Sequence, residues 1–230
     1  MNNSRLLLSA VLSVLFIILS IAPCEGQPLT KPPKGGEWKS LFNGKDLDGW
    51  HLKEKPSEHN LVSWTAINGV LVNIPPSEEG SHGIDLVSDV VLGSHELYIE
   101  FMVPKNSNSG VYLIGNYEIQ VYDSYGKGNP GMGDCGSIYG KVASSVNASL
   151  PAGHWQNLHA VFHSPKVTDG KVVKNPRITV YHNGKKVVDD AEIEGLTGAA
   201  LRNEVIEEGP TYLQGNHGTV FFRNIYYKNL

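Results

Sequence analysis

The sequence predicts an all-β domain, a sandwich of two packed antiparallel sheets, and three observations carry that prediction. Apolar and polar residues alternate with period two along several short runs. The clearest is His95 to Val103, where Leu97, Ile99, Phe101 and Val103 alternate with Glu96, Tyr98, Glu100 and Met102 in the pattern of a half-buried strand. Asn43-Gly44, Asn68-Gly69 and Asn183-Gly184 are pairs that enter the left-handed region a tight hairpin needs. No stretch sustains a helical period, and 25 Gly and 13 Pro among 230 residues suit many short strands joined by turns.

Taken in order, residues 1–26 stand apart from the rest. Arg5 supplies a positive start, and Leu6 to Ala22 is an apolar run of 17 residues, followed by Cys24-Glu-Gly26. This reads as a secretory signal peptide, so the mature chain is expected to be secreted or periplasmic with no membrane span. Ile21-Ala-Pro-Cys24 also partly resembles a lipobox, which leaves lipid anchoring at Cys24 open. Residues 27–36 form a Pro/Lys/Gly linker, and 37–230 form one domain. Trp38–Phe42 opens it. Strands are then predicted over 61–67, 70–74, 84–88, 95–103, 110–114, 117–123, 154–163, 177–181, 185–188 and 220–227. A Gly-rich loop, 124–136, interrupts them, and loops of that length in a compact domain are often functional. Only 191–208 has helical character.

Composition narrows the function classes. A net charge of −4 with no basic run argues against nucleic acid as a partner. With Cys24 removed, Cys135 is alone and cannot form an internal disulfide, so the core holds itself together without staples. Asp134 beside it would raise rather than lower the thiol pKa, which favours a structural thiol over a nucleophile.

The chemistry centres on Tyr117-Glu-Ile-Gln-Val-Tyr-Asp123. Side chains alternate across a strand, so Ile119 and Val121 face the core while Glu118, Gln120 and Tyr122 line the other face, spaced about 7 Å apart. Asn108-Ser-Gly-Val-Tyr112, Gly136-Ser-Ile-Tyr139 and Gln214-Gly-Asn-His217 are polar, Gly-rich segments suited to lining a cleft. Trp50, Trp64 and Trp155 are expected in the core rather than as sugar platforms. Nine His are present without a strong ligand spacing. A divalent metal therefore stays open as a cofactor: zinc or manganese if imidazole joins carboxylates, calcium if the shell is all oxygen.

Leu41-Phe-Asn-Gly-Lys-Asp-Leu-Asp-Gly-Trp50, Asn108 to Tyr112, Tyr117 to Asp123, Ile138-Tyr139, Pro151-Ala-Gly-His-Trp155, Val180-Tyr-His-Asn-Gly184 and Gly209-Pro210 through Phe222-Arg-Asn-Ile225 occur in one order. This ordered set closely resembles the 3-keto-disaccharide hydrolase family. The resemblance implies a concanavalin-like jelly roll, a bacterial extracytoplasmic setting and cleavage of 3-keto-glycosides. Laminarinase-type retaining glycosidases share that sandwich and carry Glu-x-Asp-x-x-Glu on a strand, where this chain has Glu118, Gln120 and Asp123. Asp123 has the wrong parity to share the face of Glu118, and retaining hydrolysis needs two carboxyls about 5–5.5 Å apart.

A 3-keto sugar needs no such pair. Its C2 proton is acidified, and the C1 oxygen lies β to the ketone. The demands are a general base, a polarising group near the enolate and a proton donor for the leaving oxygen. Glu118 is expected as base or metal ligand, and Asp123 and His217 as second acid/base or metal ligands. Gln120, Asn108, Tyr112, Tyr139, Gln214 and Arg223 are expected to bind or orient a carbohydrate substrate. A non-catalytic carbohydrate-binding module and a glycosidase acting on unoxidised glucosides remain the alternatives.

Overall fold

The structure is a computed structural model and describes residues 32–230. The predicted signal peptide, Cys24 and residues 27–31 of the linker lie outside the described residues. No helix among the described residues is long and apolar enough to cross a membrane.

Short strands follow one another without an α-helix among the described residues. The first are β1 (Lys39–Ser40), β2 (Trp50–Leu52), β3 (Asn60–Leu61), β4 (Trp64–Ile67), β5 (Val70–Asn73) and β6 (His82–Gly83). The middle of the chain gives β7 (Leu86–Leu92), β8 (His95–Met102), β9 (Asn108–Leu113), β10 (Tyr117–Tyr122) and β11 (Gln156–His163). Then come β12 (Lys166–Thr168), β13 (Lys171–Lys174), β14 (Arg177–His182), β15 (Lys185–Glu192), β16 (Gly209–Leu213) and β17 (Val220–Asn229). The larger sheet runs β15-β14-β11-β8-β17-β5-β4, with β1 added to β17, and the smaller runs β10-β9-β16-β7-β2. All pairings in both are antiparallel. The fold is the jelly-roll sandwich that the alternation and the resemblance anticipate.

Hairpins form at two of the three Asn-Gly pairs; Asn43-Gly44 closes none, since β1 pairs with β17 and β2 with β7. Asn68 and Gly69 join β4 to β5 at φ of 50° and 82°, and Asn183 and Gly184 join β14 to β15 at 50° and 75°. Between the sheets, Ile119, Val121, Val111, Leu113 and Leu213 from the smaller meet Leu97, Ile99, Phe101, Leu158, Phe162 and Phe222 from the larger, all at or below 1% exposure. Phe162 packs at a tilt against Tyr117, with ring centroids 5.5 Å apart. Trp50 and Trp64 lie in this core, as predicted, and Trp64 donates to the Ile84 carbonyl at 2.6 Å, whereas Trp155, also expected there, is half-buried outside it. Cys135 is buried and free, and burial pushes its thiol up to about 12, the profile of an inert structural cysteine.

Two expectations need correction. Strand β8 is not half-buried, because Tyr98, Glu100 and Met102 on its second face are as hidden as its core face. Arg223 on β17 stands opposite Glu100, and its Nε donates to the Glu100 carboxylate at 2.6 Å. The guanidinium lies 4.0 Å from the centroid of the half-buried Trp155 ring, so an ion pair and an aromatic side chain cover that face. The predicted helical segment 191–208 is instead the end of β15 followed by a loop. It carries Gly195 and Gly198, has no apolar period, and spends its backbone groups on the smaller sheet, as described below.

Replacing Phe162 by Ala removes a fully buried ring from the middle of this core. It is expected to lower unfolding free energy by about 3–5 kcal/mol, measurable by urea denaturation.

Candidate functional site

The smaller sheet presents a second buried face, away from the sandwich core. Register places its side chains in two rows across the strands. In one, Glu118 of β10 stands opposite Tyr112 of β9, Tyr112 opposite Tyr212 of β16, Tyr212 opposite Val87 of β7, and Val87 opposite His51 of β2. In the other, Gln120 stands opposite Gly110. Backbone bonds from Gln214 to the Gly110 carbonyl at 2.9 Å and from Lys53 to the Asp85 carbonyl at 2.9 Å carry this row on through Gln214, Asp85 and Lys53. Adjacent strands lie about 4.8 Å apart, so the two rows, broken only by Val87 in one and Gly110 in the other, bring polar groups from across the sheet onto one surface.

Glu118 is 3% exposed. Gly110 is what makes room for it, because a Cβ there would overlap the Glu118 carboxyl. The Tyr112 hydroxyl lies 2.7 Å from Glu118 Oε2 and 2.9 Å from the Gly198 carbonyl, yet it has a single proton to give. With Glu118 ionised, Tyr112 donates to the carboxylate. With Glu118 protonated, the carboxyl donates to the phenol and the phenol donates to Gly198, so every group is satisfied. Burial therefore raises the Glu118 pKa to about 7, against the lowering effect of the Tyr112 hydrogen bond and with help from the Asp85 charge. Burial also pushes the Tyr112 and Tyr212 phenols upward, which keeps both protonated.

The two tyrosines stack with centroids 3.8 Å apart and planes 13° apart, and with Val87 they form a small apolar cluster against which Leu201 packs. Tyr212 donates to the Ala199 carbonyl at 2.6 Å. Lys53 Nζ lies 5.0 Å from the Tyr212 centroid and 3.1 Å from Asp85 Oδ2, while Asp85 Oδ1 accepts the Gly215 amide at 2.8 Å. The covering segment 197–204 is fastened to the β9–β10 turn. Asn116 is fully buried there and donates to the Glu204 carbonyl at 2.9 Å. It also accepts from the Arg202 amide at 3.2 Å and, through its backbone carbonyl, from the Thr197 hydroxyl at 3.0 Å. Leu201 donates to the Gly115 carbonyl at 2.7 Å.

Of the residues predicted to act together, the structure brings Glu118, Gln120, Asn108, Tyr112, Tyr139 and Gln214 onto this face. Tyr139 donates its amide to the Glu118 carbonyl at 3.1 Å and remains 41% exposed at the rim. Asn108 stands opposite Tyr122 at the far end. Gln120 Oε1, Gln214 Oε1 and Asn108 Oδ1 are buried with no hydrogen-bond partner among the described residues, three unsatisfied acceptors on one face. His217 is exposed on a turn whose Gly218 packs against Asn108, so it borders the Asn108 end.

Asp123 and Arg223 do not join them. Asp123 lies beyond the end of β10, about 16 Å along the strand from Glu118, and its carboxylate accepts the Asn106 amide at 2.9 Å. Arg223 belongs to the larger sheet, paired with Glu100. Among the described residues no three His, Cys, Asp or Glu gather as a metal site. Lys53, Asp85, Tyr212 and Asn116 are the members that the sequence reading missed. Asn116 falls in the gap between the predicted strands 110–114 and 117–123, where a buried Asn looks like any turn Asn. Lys53 lies in no predicted strand, and nothing local marks Asp85 of the predicted strand 84–88 as a partner for it.

The sequence pattern of the 3-keto-alpha-glucoside-1,2-lyase-like domain matches residues 37–228. The chain belongs to that family. A candidate glycosyl hydrolase from Parabacteroides distasonis, known from its crystal structure, is 26% identical with a TM-score of 0.69, over 90% of this chain and 97% of that one. Two more candidate glycosyl hydrolases of that organism share the fold. One has 20% identity and a TM-score of 0.61 over 84% of this chain and 94% of its own, the other 24% and 0.58 over 85% and 100%. No curated protein matches. The family member described here is thus a glycosyl-hydrolase-like, carbohydrate-active protein.

Two consequences of the site geometry can be measured. Native Glu118 holds its proton to about pH 7 while the unfolded chain releases it near 4.5, so between these values the native state binds more protons and stability falls as pH rises. The loss is on the order of 3 kcal/mol. Glu118→Gln should flatten that fall and unfold at higher urea than wild type at pH 8. Asn116→Ala should release the covering segment, costing about 1–3 kcal/mol and moving the Glu118 titration, followed by NMR, toward the ordinary carboxylate range as water reaches it.

Proposed function

We propose that this family member cleaves 3-keto-glycosides by proton abstraction at C2 and elimination at C1. The observation that carries the proposal is the buried Glu118 carboxyl, held by Tyr112 and titrating near neutrality. A base with a pKa near the working pH combines a useful ionised fraction with the strength to take a carbon-bound proton.

In this reading Glu118 removes the C2 proton of a keto sugar. The C–H electron pair forms the C1–C2 double bond as the C1–O bond breaks, and the leaving oxygen takes a proton. Glu118 becomes neutral, and Tyr112 turns its hydrogen from the carboxylate to Gly198, so the base is not left unsatisfied in either state. Water added across the double bond then completes a net hydrolysis. The cationic role expected of Arg223 is not met by Arg223, which is held by Glu100 on the larger sheet. Gln120, Gln214 and Asn108 offer acceptors to sugar hydroxyls, and Tyr139 borders the entrance. The leaving oxygen takes its proton from water, because His217, at the Asn108 end, stands about 13 Å along the sheet from the Glu118–Tyr112 pair and is placed to meet only a distal part of the substrate. The apolar N-terminal run supports action outside the cytoplasm. A resident metal is not needed for this sequence of steps, and whether one assists is decided by chelation.

The test is turnover of a 3-keto-disaccharide beside its unoxidised parent, with and without chelator, for wild type and Glu118→Gln. Release of product from the keto sugar alone, reduced at least a hundredfold by Glu118→Gln, is the expected result. Turnover of the parent sugar would favour an ordinary glycosidase. Saturable binding of both without turnover would leave a carbohydrate-binding module.

A further inference from the structure

A groove of about 400 Å³ lies beyond the aromatic pair, on the side of Tyr212 away from Glu118. Its apolar walls are Val87, Leu201 and Pro210, and Lys53, Arg202 and the His51–Asp89 pair supply its polar groups. Its volume falls in the range of small-molecule pockets, roughly 300–1,000 Å³.

The charges in the groove are unevenly satisfied. Asp89 is engaged by His51 Nδ1 at 2.6 Å, and Lys53 is shared between Asp85 and the Tyr212 ring. Arg202 has no ion-pair partner among the described residues. Its position is nevertheless fixed: its amide donates to Asn116 Oδ1, and the preceding Leu201 amide donates to the Gly115 carbonyl. A guanidinium on an anchored backbone, above an apolar wall and beside a lysine, is matched by a planar carboxylate carried on a ring.

We propose that this groove is a binding subsite for a carboxylate-bearing ring, with Arg202 gripping the carboxylate and Leu201, Val87 and Pro210 packing on the ring. The subsite goes beyond the chemistry assigned to Glu118, and its occupancy can be read without turnover. Two kinds of ligand share this chemistry, a uronic acid and an aromatic acid, and they differ in the face they lay against the apolar wall.

Binding of glucuronate and of 4-hydroxybenzoate to the described domain in its full chain, each beside its neutral counterpart glucose or 4-hydroxybenzyl alcohol, decides the matter by NMR. The expected result is saturable shifts of the Val87 and Leu201 methyls with at least one acid, weaker by tenfold or more with the neutral counterpart. Arg202→Gln should weaken the acid at least tenfold while leaving the Glu118 titration unchanged. Preference for glucuronate marks a saccharide subsite and preference for hydroxybenzoate an aromatic one. Equal binding of acid and neutral ligand, no saturable shift, or indifference to Arg202→Gln would overturn the proposal. Because none of these readings uses a keto sugar, failure here and failure of the elimination chemistry are told apart.

Discussion

The Glu118–Tyr112 hydrogen bond is the contact on which the outer face of the smaller sheet depends, because each neighbouring feature follows from keeping one carboxyl group away from water. A buried carboxyl needs space, a partner and a cover. Gly110 gives the space by having no Cβ, Tyr112 is the partner, and the carbonyls of Gly198 and Ala199 form part of the cover. The cover in turn needs an anchor, and the buried side chain of Asn116 provides it on the turn that launches β10. The polar face is thus a chain of dependencies, in which removing one member exposes or strands the next.

This arrangement explains why both faces of β9, β10 and β16 are buried although only one packs against the larger sheet. The core face of β10 is held by dispersion and the hydrophobic effect. Its outer face is held by hydrogen bonds whose donors and acceptors come from loops, which is why those loops are long. The Tyr112–Tyr212 stack lies between the two regimes: its rings pack with Val87 and Leu201, and its hydroxyls satisfy the carbonyls above.

The fold was legible in the chain because its determinants are local. Alternation of Leu97, Ile99 and Phe101 and the Asn68-Gly69 and Asn183-Gly184 turns report sheet faces and hairpins within a few residues. The site was legible only in part. Glu118, Gln120 and Tyr112 could be placed on one face because strand parity and hairpin register are short-range properties. Asp85 and Lys53 could not, since they reach Gln214 only through pairings of β7 with β16 and β2, and no local pattern specifies which strands become neighbours. Arg223 illustrates the converse: its motif was recognisable, but whether it faces Glu118 or Glu100 depends on which sheet β17 joins. The segment 191–208 does not become the expected helix because its conformation is imposed by bonds to Asn116 and Gly115, more than eighty residues earlier.

In the covering segment each phenol of the aromatic pair is met by a main-chain carbonyl, Tyr112 by Gly198 in addition to its bond to Glu118, and Tyr212 by Ala199. A latch built from the backbone is indifferent to which side chains residues 198 and 199 carry, apart from the positive φ of 55° at Ala199. It is sensitive to spacing. Substitutions can accumulate there and alter the surface met by an incoming ligand, whereas insertion or deletion of one residue would slide the carbonyls off the hydroxyls. The segment can therefore change its side chains but not its length, which makes it a place where the surface met by a ligand can be altered without disturbing the carboxyl beneath.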